Sequence, residues 1–371
     1  MVLLQRRGAE PRFLCVGAAD DEGEHPLQRD SLFRIGSMTK PIVTVAALTM
    51  IEEGLLRLSD PVAAWLPELS TPKVLSAPQA KLGDTVNARR GITVGDLLTH
   101  RPGFATALVA QGELGQAVQP LSGGLGQRSA MEPDEWIALL GSLPLAAQPG
   151  ASVINGFATD VLGVLLSRLA GKPLPDVLAE RVLAPVGMSD TAFHVSPDDA
   201  DRLPPAYSMG WLSKKRKMVD PAGTESRFAR APAFPSGSGG LVSSADDYLR
   251  FGRMLLVGGR SDTERVLSRK TVELMTTDFL TGEQRAEPFF GADFWADRGL
   301  GLGVYVLDDL AAHGLPASSG QYGWSGAFAT AWFNDPREEL TAVLMAQVAF
   351  PAVTPALRSD FETLVYQAID D

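Results

Sequence analysis

The spacing of apolar and polar positions changes several times along the chain, and each change marks an element. Val2-Leu3-Leu4-Gln5 and Arg12-Phe13-Leu14-Cys15-Val16 flank the turn-like Arg7-Gly8-Ala9-Glu10-Pro11, which predicts a β-hairpin opening the fold. A chain that starts inside a hairpin, with nothing ahead of it, reads as truncated or partly given. From Ser37 to Leu58 the period becomes helical. Val43, Ala46, Ala47, Met50, Ile51 and Leu55 give a nearly all-round apolar surface, so the helix is expected to be buried. Pro41 falls early in it, where a missing backbone N–H costs little because first-turn donors have no intrahelical partner.

Residues 59 to about 200 alternate helical patterns with turn-rich segments. Helical stretches are expected at Val62-Leu66, around Thr93-Leu98, from Pro133 to Leu143, and from Thr159 to Leu169 ahead of Gly171. The stretch from Leu108 to Met131 is rich in Gly and Gln with little periodicity, which predicts a mobile loop of the kind that often lines a site. Beyond residue 230 a helix is expected from Ala245 to Val257, stopped by Gly258-Gly259. Strands follow at Gly301 to Leu307, Ala329 to Phe333 and Leu340 to Gln347, the last two joined by the turn Asn334-Asp335-Pro336-Arg337. A helix from Val353 to Ala368 would cover one face.

These elements predict an α+β fold: an antiparallel sheet flanked by helices and built from both chain ends, with a mostly helical region inserted between. The expected division is 1–58 with 232–371 as the sheet domain and 59–231 as the inserted one.

Composition narrows the function. The 371 residues are 45% hydrophobic and 21% charged, ordinary for a globular protein with a large core. A net charge of −11 leaves no surface-wide positive field for nucleic acid or anionic lipid, so neither is expected as a partner. The basic run Lys214-Lys215-Arg216-Lys217 is read as a solvated hairpin tip. Cys15 is the only cysteine, which excludes an internal disulfide; its apolar flanks suggest a buried strand thiol. Neither a secretion signal nor a membrane span is apparent, and a soluble cytoplasmic protein is the default expectation.

One segment carries chemistry. Phe33-Arg34-Ile35-Gly36-Ser37-Met38-Thr39-Lys40 holds a Ser-x-x-Lys motif at a predicted helix N-terminus. Residues three apart share a helical face, so the Lys40 ammonium can reach the Ser37 hydroxyl. A serine hydroxyl is a poor nucleophile until a base takes its proton, and a lysine desolvated among apolar neighbours has its pKa lowered toward that task. The motif is common by chance, but a lysine on a buried helix is expensive unless it has a role.

The run Leu32 to Pro41, then Glu53-Gly54 and Asp60-Pro61, resembles the first motif block of family VIII carboxylesterases and class C β-lactamases. Thr93 to Gly103 resembles the family's "TVxDLLTHxSG" block, with Arg101-Pro102 replacing the usual dipeptide. Pro149-Gly150 through Gly163, and Gly237 to Leu241 with Ser243, Asp247 and Tyr248, resemble further shared blocks. The likeness covers nearly the whole chain, although the family's N-terminal helix is missing ahead of the first strand.

The resemblance implies a tyrosine relaying protons between serine, lysine and leaving group, and here its place falls on Asn155. Asparagine orients a substrate through hydrogen bonds but carries no proton at neutral pH. Three readings stand open. Lys40 acts alone as base with Asn155 aligning the substrate; another tyrosine, Tyr322 or Tyr207, takes the role; or the reaction is changed or lost, a deliberate substitution included.

The lactamases' Lys-Thr-Gly has its counterpart in Trp324-Ser325-Gly326, a close variant of the esterases' Trp-Gly-Gly. Tryptophan for lysine removes the cation that would hold a β-lactam's carboxylate, which favours neutral esters. The resemblance further implies an oxyanion hole from the Ser37 and Ala327 amides, with Tyr322, Trp324, Ser325, Gly326 and Phe328 as substrate-binding residues.

His25, His100, His194 and His313 are scattered and none is paired with a second His or Cys at ligand spacing, so no metal and no cofactor is expected. His100 is read as a satisfied structural residue, and Asp160 as an N-terminal cap or dipole partner. The expected function is hydrolysis of small carboxylic esters through a Ser37 acyl-enzyme with Lys40 as base. The alternatives are acyl transfer from the same intermediate, or a repurposed site. The partner is a small ester or acyl substrate; the sequence carries no sign of an oligomeric state.

Overall fold

The computed structural model describes residues 1–20, 23–122, 129–209, 215–289, 293–349 and 354–370, with only the backbone described at 354 and 355. The opening hairpin forms as expected, from β1 (Val2–Arg6) and β2 (Arg12–Leu14). Leu3 is buried on β1, whereas Phe13 and Leu14 are exposed on the edge strand β2 and Val16 is exposed just past it. Cys15 therefore is not the buried strand thiol expected from its apolar flanks. It lies half-buried just past β2, its thiol directed at the Leu27 carbonyl at 3.4 Å.

β1 pairs antiparallel with β13 (Leu340–Leu344) in the register Val2–Leu344 to Arg6–Leu340, which joins the two chain ends in one sheet. Strands β12 (Thr330–Asp335), β11 (Tyr322–Gly326), β10 (Tyr305–Leu307) and β9 (Arg298–Leu300) complete seven antiparallel strands in the order β2-β1-β13-β12-β11-β10-β9. The stretch Gly301 to Leu307, expected as one strand, is divided: the chain turns at Gly301–Val304, closed by the Gly301 amide on the Val304 carbonyl, with Gly303 at φ +69°. Alternation alone does not distinguish a strand from a tight hairpin when the turn residues are apolar.

Helix α1 (Thr39–Glu52) is buried from Thr39 through Met50, as its all-round apolar surface requires. It ends at Glu52, six residues short of the expected end, because Gly54 takes a left-handed φ of +75° and Leu55 is exposed. Complete burial of an aliphatic side chain such as Ile42, Val43 or Leu48 contributes roughly 1.5–3 kcal/mol. Those contributions offset the cost of carrying Lys40 on the same helix.

The central region holds short α2 (Val94–Leu98), capped by a reciprocal Thr93–Asp96 box, then α3 (Gly112–Ala117), α4 (Gln119–Ser122), α5 (Pro133–Ser142) and α6 (Ala158–Ala170), which ends on left-handed Gly171. The segment expected as a structureless loop thus contains two helices. They are held by Leu114, Val118 and Leu121, which are buried in the main core; the spacing is helical, but helices of six and four residues are too short for it to stand out. Residues 123–128 of that segment lie outside the described residues.

A hairpin of β6 (Ala206–Met209) and β7 (Arg216–Asp220) carries part of the basic run, with Lys215, Arg216 and Lys217 exposed; Lys214 lies outside the described residues. Helix α7 (Ala245–Leu256) packs on β12 and β13, and α8 (Thr354–Gln367) covers the opposite sheet face through Phe361 and Val365. No helix among the described residues is long and apolar enough to cross a membrane.

Candidate active site

The turn Gly36–Met38 leads into α1 and is fixed from three sides. The Tyr248 hydroxyl on α7 donates to the Met38 carbonyl at 2.8 Å, the Thr330 hydroxyl on β12 donates to the Ile35 carbonyl at 3.0 Å, and the Thr39 hydroxyl accepts from the Leu241 amide. One helical turn onward, Lys40 Nζ donates to Ser37 Oγ at 2.9 Å and to the Ser238 carbonyl at 2.7 Å. Lys40 is 3% exposed, and this burial lowers its pKa from 10.5 to about 8, with the Asp160 charge pulling the other way. A buried amine with that pKa, hydrogen-bonded to a serine hydroxyl, has the geometry and the basicity of a proton acceptor.

Asp160 is not the cap of α6, since Phe157 holds that position without a side-chain bond. Its carboxylate instead accepts from the Ser236 hydroxyl at 2.6 Å and the Ser238 amide at 3.0 Å. Ser238 thus bridges the carboxylate and the lysine through its own peptide groups. Burial raises the Asp160 pKa, and the two serines with the Lys40 charge oppose that rise. Gly237 is required here because a Cβ would stand 2.5 Å from the Thr159 carbonyl oxygen.

The end of β11 closes on the Ser37 turn. A Cβ on Gly326 would lie 2.2 Å from the Ile35 carbonyl oxygen, and one on Gly36, at φ +52°, would lie 3.0 Å from the Ala327 amide nitrogen. Only glycine permits so close an approach, and the approach sets the Ala327 amide beside the Ser37 turn.

The remaining expected site residues divide. Asn155 is half-buried, one residue beyond Ile154, whose amide donates to the His100 carbonyl at 2.9 Å. Trp324 is 5% exposed, packed with Val153, Trp295 and Tyr305, and stacked on His100 at 5.8 Å. Ser325 Oγ accepts a hydrogen bond from Arg358 Nη1 on α8 at 2.7 Å, which leaves its own O–H as a donor. Phe328 is buried with Ala206 and Ala349, packed against the β6–β7 hairpin.

The two candidates for the absent tyrosine differ in their surroundings. Tyr322 is in the main core with its hydroxyl accepting from Asn334 Nδ2 at 2.9 Å, and burial raises its pKa. Tyr207 is buried on β6 under the Arg216 guanidinium.

Sequence reasoning missed three features. His100 is not a satisfied structural residue: among the described residues neither ring nitrogen has a hydrogen-bond partner, and both are buried. Ser236 and Ser238 carried no chemical signal beyond the Gly237–Leu241 resemblance. Arg358 restores a cation beside the strand that the loss of a lysine at Trp324 appeared to strip of one, and it comes from a helix read only as a cover.

The sequence pattern of the β-lactamase family matches residues 1–367. The chain belongs to the β-lactamase family. An uncharacterised protein of Mycobacterium tuberculosis is 43% identical over 335 residues, covering 90% of this chain and 81% of that one. Esterase EstB of Burkholderia gladioli is 30% identical over 366 residues, covering 94% and 86%. Among solved structures, EstCE1, described as a hydrolase with promiscuous acyltransferase activity, superposes with a TM-score of 0.79 at 29% identity over 98% of this chain and 92% of that one. The fold is that of this β-lactamase family.

Proposed function

We propose that this chain cleaves small carboxylic esters through an acyl-enzyme on Ser37, with Lys40 as the base. The observation that carries this reading is the 2.9 Å hydrogen bond between Lys40 Nζ and Ser37 Oγ, made by a buried lysine whose pKa is lowered to about 8. The esterase and hydrolase relatives support ester hydrolysis or acyl transfer as the reaction class.

The neutral Lys40 amine takes the Ser37 hydroxyl proton as Oγ attacks the ester carbonyl. The carbonyl oxygen becomes an oxyanion held by the Ser37 and Ala327 amides. Collapse breaks the bond to the leaving alcohol, which takes up the proton that Lys40 removed from Ser37, and Ser37 carries the acyl group. Water, or a second alcohol in the acyltransferase variant of the same chemistry, then attacks the acyl carbon as its proton passes to the again-neutral Lys40, and Lys40 returns that proton to Ser37 Oγ as the acyl group leaves. Asn155 aligns the substrate through its amide.

The test is turnover of a short-chain p-nitrophenyl ester by the wild-type chain and by Ser37→Ala, with intact-mass detection of an acyl adduct. Turnover and an adduct on Ser37, both lost in Ser37→Ala, are expected. Undiminished turnover in Ser37→Ala would overturn the scheme. Added alcohol diverting product to a new ester would show that the acyl group is also transferred.

A further inference from the structure

An ester with an ordinary alkyl leaving group needs more than a base at Ser37. The departing alkoxide must be protonated as the bond breaks, and the water that later attacks must lose a proton. Asn155 can do neither, and the Tyr322 hydroxyl is held by Asn334 in the main core.

His100 has what Asn155 lacks. It follows α2 at a left-handed φ of +54°, an uncommon conformation for a residue with a Cβ. One face stacks on Trp324 at 5.8 Å with an interplanar angle of 22°, and its carbonyl accepts the Ile154 amide next to Asn155. The ring is 1% exposed, yet among the described residues neither Nδ1 nor Nε2 has a hydrogen-bond partner. A buried imidazole with both nitrogens unpaired costs stability, on the order of 1–3 kcal/mol for each unsatisfied group. An unsatisfied buried group of this kind calls for an explanation, and a role in proton transfer is one.

We propose that His100 is the proton relay between Lys40 and the leaving or attacking oxygen, in the place the absent tyrosine would fill. The proposal rests on the reading that Ser37 is acylated with Lys40 as base. In acylation, one ring nitrogen accepts a proton from the Lys40 ammonium while the N–H on the other nitrogen gives its proton to the departing oxygen, directly or through one water. The imidazole is neutral before and after, in its other tautomer. Deacylation runs the relay backwards: the incoming water gives a proton to the ring, the ring returns one to neutral Lys40, and Lys40 reprotonates Ser37 Oγ as the acyl group leaves. The tautomer is reset in each cycle. Burial and the nearby Lys40 ammonium push the imidazolium pKa down to about 3, so the ring is neutral at physiological pH and both nitrogens are available, one as donor and one as acceptor.

The test separates relay from structure by the leaving group. p-Nitrophenolate departs without a proton, so in His100→Phe, which keeps the stack on Trp324, the acylation burst with p-nitrophenyl acetate is expected to stay within about threefold of wild type. Steady turnover of that ester should fall about 10²–10⁴-fold, because deacylation still needs the relay, and the Ser37 acyl-enzyme should accumulate by intact mass. Butyl acetate hydrolysis should fall by a similar factor already in acylation, with no adduct accumulating. His100→Gln, which keeps hydrogen bonding without carrying a proton, should match His100→Phe. Introducing Asn155→Tyr into His100→Phe should recover turnover.

Equal loss of burst and turnover in both variants, without recovery on Asn155→Tyr, would overturn the proposal and make His100 a packing residue. Unchanged butyl acetate hydrolysis would overturn it as well. Undiminished turnover in Ser37→Ala would instead refute the acyl-enzyme reading on which it rests.

Discussion

Replacing Lys40 by methionine tests the central electrostatic feature of the site through stability, independently of any substrate. Lys40 is buried and its pKa falls from 10.5 to about 8, a difference equivalent to about 3 kcal/mol. Below pH 8 the lysine is protonated in both the folded and the unfolded chain, and the full cost of burying the charge weighs on the fold. Between pH 8 and 10.5 the unfolded chain holds a proton that the folded chain has released, so wild-type stability rises with pH. Above 10.5 the cost has vanished. Lys40→Met lacks this titration but also loses the bonds to Ser37 and Ser238, an offset that does not vary with pH. The stability of the variant relative to wild type should therefore decline by about 3 kcal/mol from pH 7 to pH 11. Urea unfolding of both proteins at steps across that range measures it. A difference that stays flat would mean that Lys40 titrates as a solvated lysine and would remove the physical basis for its role as base.

Other consequences are open to measurement. In the wild type, kcat/KM for a neutral ester should rise about tenfold per pH unit below pH 8 and level off above it, because only neutral Lys40 accepts the Ser37 proton. Asp160→Asn keeps acceptor capacity for Ser236 and Ser238 but removes a charge that raises the Lys40 pKa, so the inflection of that profile should move to lower pH; an inflection that stays in place or moves up would contradict the assignment. Gly326→Ala drives a methyl group into the Ile35 carbonyl and the Thr330 hydroxyl, so kcat should drop by about 10²-fold or more as the Ala327 amide is displaced from the Ser37 turn, with KM little changed.

Where the chain's local pattern determines structure, the sequence was legible. The Ser37–Lys40 spacing placed two side chains on one turn, and the apolar positions of α1 dictated its burial. The antiparallel strands at both chain ends followed from alternation and turn residues. The unreadable features depend on contacts between segments distant in sequence. Asp160 meets Ser236 and Ser238 across an intervening stretch that carries β6 and β7, and no local rule distinguishes that role from a helix cap. Arg358 on Ser325 is likewise invisible to a reading in which α8 is an amphipathic cover. The unpaired nitrogens of His100 could not be anticipated, since an expectation of hydrogen bonding is what a buried histidine ordinarily justifies. Gly301 to Leu307 failed for the opposite reason: its local pattern was strong, but a turn made of apolar residues reads as strand.

The pairing of β1 with β13 bears on how the protein is made. Strands that meet across most of the chain's length cannot form until residue 344 has been synthesised and released, and the turn bearing Ser37 waits on Thr330 and the end of β11 for its final shape. During translation Ser37 and Lys40 emerge early, on a helix whose apolar surface has nothing yet to pack against. The geometry around Ser37 is therefore completed in one step at the end of synthesis. A ribosome-stalled chain lacking β13 should be inert however much of its helical region has folded.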